Sequence, residues 1–380
     1  MARQAERADD QPPGDDRGPA WQPETITLSS VPGCIVFDLP GAAVSAGGTR
    51  LAPDVTASEV ALLARAMTYK FASLGAQVGG AKAGVVGDPA DRSTRAGQMS
   101  RYCAEVAPLV AAGRFLTGPD MGTFEQDFAP LRASQPAPAA LTAVIDDLPF
   151  EDILTGYGVA AAADVALRAG HGGGWAGRSV AIEGFGKVGG GVAREVAARG
   201  GRVVAVSTLA GCIADPAGLD VGRLLELRRE HGDQCVTRYG LPAGPVSQLF
   251  TTASADVLVP GTRPGVITAE VAGSLPDAVR VIAPAANVPY TRAGAEVLRR
   301  RGIVALPDFI CNAGAVLGYR SAAAATSGEV LASAGARIGE LISAALAHQA
   351  GPLAGACEQA AAFVRSWWGE PPPPPFAPEP

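Results

Sequence analysis

The chain has 380 residues, 48% of them hydrophobic and 18% charged, with a formal net charge of −6. That length predicts two domains with ample apolar surface to bury. The acidic balance argues against a nucleic-acid binder, which would carry a basic face, and Gly, Pro or a charge interrupts every apolar run before the length of a membrane span.

Residues 1–24 are polar and rich in Asp, Pro, Gly and Arg, so a disordered N-terminal tail is expected, reaching about residue 30. It has no apolar h-region and is not read as a secretory signal. The six cysteines show no CxxC spacing and are expected to be buried thiols in a cytoplasmic protein. The three histidines lie near no other ligand-type residue at metal spacing, so no metal site is expected.

Residues 31–150 are expected to form a first α/β domain. Short apolar runs at 34–37 and 84–87 flank a helix that opens on a capping box, Thr56-x-x-Glu59. The helix continues through Val60, Leu62, Leu63, Ala66 and Met67 to about Gly75, with Lys70 on its last turns. Twelve residues later comes Gly79-Gly80-Ala81-Lys82-Ala83-Gly84. An ammonium in so small and apolar a setting is poorly solvated, which lowers its pKa and suits it to general-base work. An isolated GGxK is more often a turn with a solvated lysine, so Lys82 gains weight only from its company.

From about 177 to 325, β-branched runs at 180–182, 203–206, 257–259, 279–283 and 303–306 alternate with helical stretches at 188–199, 219–230, 268–273 and 291–300. This pattern predicts a doubly wound parallel sheet. Directly after its first strand stands Gly184-Phe185-Gly186-Lys187-Val188-Gly189, the strand-to-helix setting that a dinucleotide fingerprint requires. About twenty residues on, Ser207-Thr208 occupies the place where an acidic residue would hold the ribose of NAD. NAD and NADP both stay open, with Arg202 or Lys187 as candidates for a 2′-phosphate. Alanine-rich helices are expected over 326–368 and an extended, solvated proline-rich tail over 369–380.

In their order along the chain, these segments resemble the Glu/Leu/Phe/Val dehydrogenases, closest to the leucine/phenylalanine/valine branch. Ala46-Gly47-Gly48-Thr49-Arg50 is similar to that branch's GGTR segment, Met67-Thr68-Tyr69-Lys70 to its MTYK, and Gly79-Gly80-Ala81-Lys82 to the catalytic-lysine motif. Residues 117–123 resemble the segment bearing the catalytic aspartate, Thr155-Gly156-Tyr157-Gly158 the stretch near the nicotinamide, and 286–289 and 307–314 the segments that close the cleft. The resemblance implies an N-terminal α/β substrate domain, a Rossmann NAD(P) domain over 151–325, and C-terminal helices packing back across the cleft. It also implies a homo-oligomer. The implied reaction interconverts an L-amino acid with its 2-oxo acid and ammonia.

Carried over residue by residue, Lys70 binds the substrate carboxylate, Lys82 activates water and Asp120 shuttles protons. Asn312 donates to the carboxylate and Asn287 contacts the nicotinamide ribose beside Thr155. Gly47, Gly48, Met67, Ala46, Val316 and Tyr319 line the substrate site. Glutamate-specific members carry a lysine where this chain has Ala46 and a serine where it has Tyr319, so the resemblance implies an apolar, branched or aromatic substrate. The NAGGV motif reads Asn312-Ala313-Gly314-Ala315-Val316 here. The competing readings are a non-catalytic paralogue that only binds cofactor, a dehydrogenase for an unusual amino acid, and a Rossmann enzyme acting on hydroxy acids, which would use a histidine base.

Overall fold

The structure, a computed structural model, describes residues 21–145 and 148–380. Its first sheet comprises β1 (Glu24–Thr27), β2 (Gly33–Phe37), β3 (Ser45–Ala46), β4 (Thr49–Ala52), β5 (Gly79–Val86) and β6 (Phe115–Leu116), with helices α1 (Ala57–Ser73) and α2 (Arg92–Ala111). The strand order is β1-β2-β5-β3-β6, with β4 also paired to β5. Period-two alternation along β5 decides its two faces. Ala81, Ala83 and Val85 join the apolar cluster under α2, together with Met99, Tyr102 and Val106. Gly80, Lys82 and Gly84 fall on the face covered by α1. A Cβ at Gly80 would meet Ala64 O at 2.0 Å and Thr68 N at 2.3 Å. The glycines of the GGAK segment therefore let α1 lie directly on β5, which brings Lys70 and Lys82 onto one side of the sheet.

Two expectations for this half need correction. The tail does not extend to residue 30: β1 pairs antiparallel with β2, Ile26 opposite Ile35, and Leu28 and Val31 are buried. Trp21 is held as well, donating to Asp38 O at 3.0 Å with Arg65 stacked 3.6 Å from its ring. Residues 1–20 lie outside the described residues. The capping box is half made. Thr56 Oγ1 accepts the Glu59 amide at 3.2 Å, but the Glu59 carboxylate turns to Arg50, a charged partner that outcompetes a backbone amide.

A hairpin of β7 (Val144–Ile145) and β8 (Leu148–Pro149) leads to α3 (Phe150–His171). The second sheet follows with β9 (Ser179–Glu183), α4 (Lys187–Ala198), β10 (Arg202–Thr208), β11 (Gly211–Ala214), α5 (Val221–His231), α6 (Cys235–Arg238), α7 (Gln248–Thr251), β12 (Val257–Pro260), α8 (Ala269–Ser274), β13 (Val281–Ile282), α9 (Arg292–Arg300) and β14 (Val304–Ala305). Its order is β11-β10-β9-β12-β13-β14, parallel except for β11. The chain steps from β9 to one side and later returns to the other, so the carboxyl ends of β9 and β12 flank the switch point where ligands bind in such sheets.

Short helices α10 (Asp308–Cys311) and α11 (Gly314–Tyr319) precede α12 (Ser327–Leu346) and α13 (Pro352–Trp367). The alanine-rich stretch thus breaks in two, at Gly351 with φ +88° and Pro352 at the first turn of α13. Helix α12 packs on α3 and α13 on α1, which links the two halves.

The proline-rich segment is docked, not solvated. Tyr69 donates to Pro372 O at 2.7 Å, and Ala377 N donates to Tyr290 O at 2.9 Å. Arg292 lies 4.7 Å from the Phe376 ring, and Glu379 accepts the Ala293 amide. A polyproline stretch leaves its carbonyls free to accept, and here they find donors.

Candidate active site between the two sheets

Residues 117–123 lie along β4. Thr49 N donates to Gly118 O and Leu51 N to Met121 O, both at 2.9 Å, while Asp120 N donates to Thr123 Oγ1 at 2.8 Å. This turn aims Asp120 at β5, where its carboxylate meets Lys82 Nζ at 3.0 Å and Arg50 Nε at 3.1 Å. Arg50 also pairs with Glu59. Lys82 is 2% exposed, and burial holds its ammonium below the usual lysine range; Asp120 opposes that shift and Arg50 adds to it. Burial works against the ionised Asp120 carboxyl, yet Lys82 and Arg50 hold it well below the usual carboxylate range. One ionised acid thus sits against a lysine that loses its proton easily.

Lys70, at the end of α1, is 5% exposed, and its Nζ donates to Asn287 Oδ1 at 3.4 Å. Burial lowers its pKa to about 8, with Lys82 adding to the shift and Asp308 and Asp120 opposing it. Asn312 donates to Asn287 Oδ1 at 2.9 Å and to Ala285 O at 3.1 Å. Both amide hydrogens of Asn312 are therefore engaged, so it braces Asn287 and presents no free donor to a carboxylate. Next to these lysines, Ala46, Met67, Phe71 and Ala76 are buried together, with Val78, Leu116 and Val316 packed against them. All seven side chains are apolar. Gly47 and Gly48 bring β5 and the Asp120 segment close: a Cβ at Gly48 would meet Asp120 Cβ at 3.1 Å.

The Tyr319 ring packs on the cluster of Ala140, Leu141, Phe150 and Leu154; its hydroxyl meets the Glu151 carboxyl at 3.3 Å and would lie 3.5 Å from a Cβ at Gly118, in the segment that carries Asp120. Burial, reinforced by Asp152 and Glu125, raises the Glu151 pKa to about 8.

Across the cleft, Gly184 takes φ +85°, and a Cβ at Gly189 would strike Gly184 O at 2.1 Å, so only glycine allows α4 to start so close to β9. A Cβ at Gly186 would meet nothing within 4 Å, and Gly186 caps α4 with no side-chain hydrogen bond. Open space in front of uncapped amides suits a pyrophosphate. Ser207 Oγ accepts the Gly184 amide at 3.4 Å, and Glu183 accepts the amides of Gly261 and Thr262, fastening the loops at the switch point. On α3, Thr155 donates to Glu151 O at 2.9 Å, and a Cβ at Gly156 would meet Gly191 C at 2.5 Å.

The candidates for a 2′-phosphate do not reach the ribose end of β10. Thr208 ends this strand and donates to Asp233 O at 2.6 Å; Arg202 begins it, about 20 Å away at the rise of a strand. Lys187 stacks 4.0 Å from the Phe124 ring, on the opposite domain. Thr208 offers neither an acidic side chain for the ribose hydroxyls nor a cation for a 2′-phosphate.

These arrangements agree with two family profiles. The one described as Glutamate/Leucine/Phenylalanine/Valine dehydrogenase matches residues 150–333, and the Glu/Leu/Phe/Val dehydrogenase dimerisation domain matches residues 41–135. The chain belongs to the Glu/Leu/Phe/Val dehydrogenase family. A glutamate dehydrogenase of Aeropyrum pernix is 32% identical over 71% of this chain and 66% of its own length. An NADP(+)-dependent glutamate dehydrogenase of Pyrobaculum calidifontis is 33% identical over 71% of this chain and 67% of its own. The chain thus matches about two thirds of these relatives' length. The hetero-hexameric glutamate dehydrogenase of Thermus thermophilus, in a leucine-bound form, superposes with a TM-score of 0.76 at 25% identity, covering 91% of this chain and 89% of that one.

As a dehydrogenase-family site, it contains residues to which the motifs gave no role. Arg50 stands in a quoted segment and Glu59 was read only as a helix cap, but the fold reveals that Arg50 pairs with Asp120 and Glu59 with Arg50. Glu151, one turn before Thr155, carried no sequence signal. Among the described residues no helix is long and apolar enough to cross a membrane, and no cluster of metal-ligand type is present.

Proposed function

We propose that this chain interconverts an apolar L-amino acid with its 2-oxo acid and ammonia, using NAD or NADP. The observation that carries the reading is the buried Lys82–Asp120 contact at 3.0 Å, in a chain that also carries an uncapped helix start at Gly186. A dinucleotide held by its pyrophosphate at the Gly184–Gly189 loop would supply the hydride chemistry through its nicotinamide. Lys70, charged, anchors the substrate carboxylate, with Asn287 fixing its ammonium. Lys82, neutral when it acts, takes a proton from the water that attacks the substrate imine carbon. Asp120, kept ionised by Arg50, accepts a proton from the amino nitrogen and returns one to the departing ammonia.

The named relatives are glutamate dehydrogenases, but the pocket argues for a different side chain. A γ-carboxylate placed among Ala46, Met67, Leu116 and Val316 has no cation from that cluster, which would cost roughly several kcal/mol. Branched or aromatic side chains fill the same space at a gain. The open edge of β1 and the match to a dimerisation domain support assembly as an oligomer. The test is initial-rate absorbance at the nicotinamide band with NADH or NADPH, ammonium and a panel of 2-oxo acids. Oxidation with branched or aromatic acids is expected; silence across the panel despite cofactor binding would overturn the reading.

A further inference from the structure

Asn287 is followed by Val288 at φ +52°, the one positive value among the described non-glycine residues. A β-branched side chain is strained there and persists only where its surroundings fix it. Val288 is 1% exposed and packs with Ala66 and Ala377; its carbonyl accepts the Gly265 amide at 2.9 Å. Its own amide donates to Asp308 Oδ2 at 2.8 Å. The kink leaves Asn287 facing Lys70 and Asn312. Asp308, at the first residue of α10, is itself 2% exposed.

We propose that Asp308 is a positioning residue with two tasks: its carboxylate holds the Val288 kink that presents Asn287, and its charge keeps Lys70 protonated for a carboxylate ligand. The idea rests on reading Lys70 as the carboxylate anchor. Lys70 bonds Asn287 and Asp308 bonds the next residue, Val288, so both charged groups meet the same dipeptide; with Asp120, Asp308 is one of two anions offsetting the burial of Lys70. Facing Asp308 are Lys70 and the buried groups Tyr290, Cys311 and Cys357, whose pKa values burial pushes upward, so they stay neutral. Burial raises Asp308 to about 6, opposed by the Val288 amide and Lys70, so it is ionised at neutral pH.

The two tasks separate in two variants. Asp308→Asn keeps an acceptor for the Val288 amide and removes the charge; Asp308→Ala removes both. For Asp308→Asn, Lys70 should lose its proton on the order of one pH unit lower, as expected for loss of an adjacent opposite charge. The KM for the 2-oxo acid then starts its alkaline rise at correspondingly lower pH, with kcat little changed. Asp308→Ala should show the same KM shift and also lose kcat, because Asn287 is released. A 13C NMR titration of the Lys70 side chain in the full chain reads the proton without any turnover. A Lys70 midpoint that falls in Asp308→Asn supports the proposal even if no substrate turns over, in which case only the dehydrogenase reading fails. An unmoved midpoint overturns it, whatever the two variants do to rate or folding.

Discussion

Lys82, Asp120 and Lys70 were legible as residue types at family spacing, but their electrostatics come from burial and from neighbours the motifs do not name. Lys82→Ala should lower turnover by about 10²–10⁴-fold, while nicotinamide fluorescence shows cofactor binding unchanged, since the Gly184–Gly189 loop lies on the other sheet. Unchanged turnover would remove Lys82 from the mechanism. The pH profile carries a sign for each lysine. Lys82 must be neutral, so kcat/KM rises with pH through its lowered pKa; Lys70 must be charged, so kcat/KM falls above about 8. A bell is expected, and a monotonic profile would contradict the paired roles. Glu151 offers a test in stability. Its folded pKa lies above its unfolded value, so the stability it contributes is complete below about 4.5 and is lost as pH rises toward about 8. Glu151→Gln should raise the unfolding free energy at pH 8 by on the order of 1–3 kcal/mol, and much less at pH 4. Equal effects at both pH values would show that Glu151 does not titrate in this window.

Among the elements, the alternation of β-branched runs with amphipathic stretches placed the five parallel strands of the second sheet to within a residue or two, because buried parallel strands leave a plain pattern, but it missed the antiparallel edge strand β11. The first sheet was harder. Strands β3 and β6 are two residues each and carry no period, and β1 hides in a polar stretch that gains its apolar partner only when it meets β2. Helix α1 was legible in full, except that Glu59 serves Arg50. The glycine beside the lysine motif reads as a turn in sequence, whereas in the fold it is the contact between α1 and β5. Gly80→Ala should therefore push α1 off the sheet, cost about 1–3 kcal/mol in unfolding free energy and raise the KM through Lys70. A fully stable, fully active variant would show that this contact has slack.

In the whole molecule, α13 and the segment after it tie the substrate side of the cleft to the cofactor side. Tyr69 neighbours Lys70, and Tyr290 and Thr291 follow Asn287, so residues 371–380 touch both walls of the site. No sequence rule marks where a proline-rich stretch docks, since its partners, Tyr69, Tyr290 and Ala293, lie far away along the chain. A chain ending at Glu370 should show faster amide exchange in α1 and around Tyr290, with the sheet cores unchanged; protection equal to that of the full chain would mean that the segment restrains nothing. The central claim concerns the side-chain pocket, where an apolar cluster stands against relatives that are named for glutamate. The most direct measurement is the ratio of kcat/KM for 4-methyl-2-oxopentanoate to that for 2-oxoglutarate, at saturating ammonium and cofactor. We expect a ratio of at least about 10², equivalent to roughly 3 kcal/mol; a ratio below one would show that a γ-carboxylate is recognised and contradict the apolar pocket.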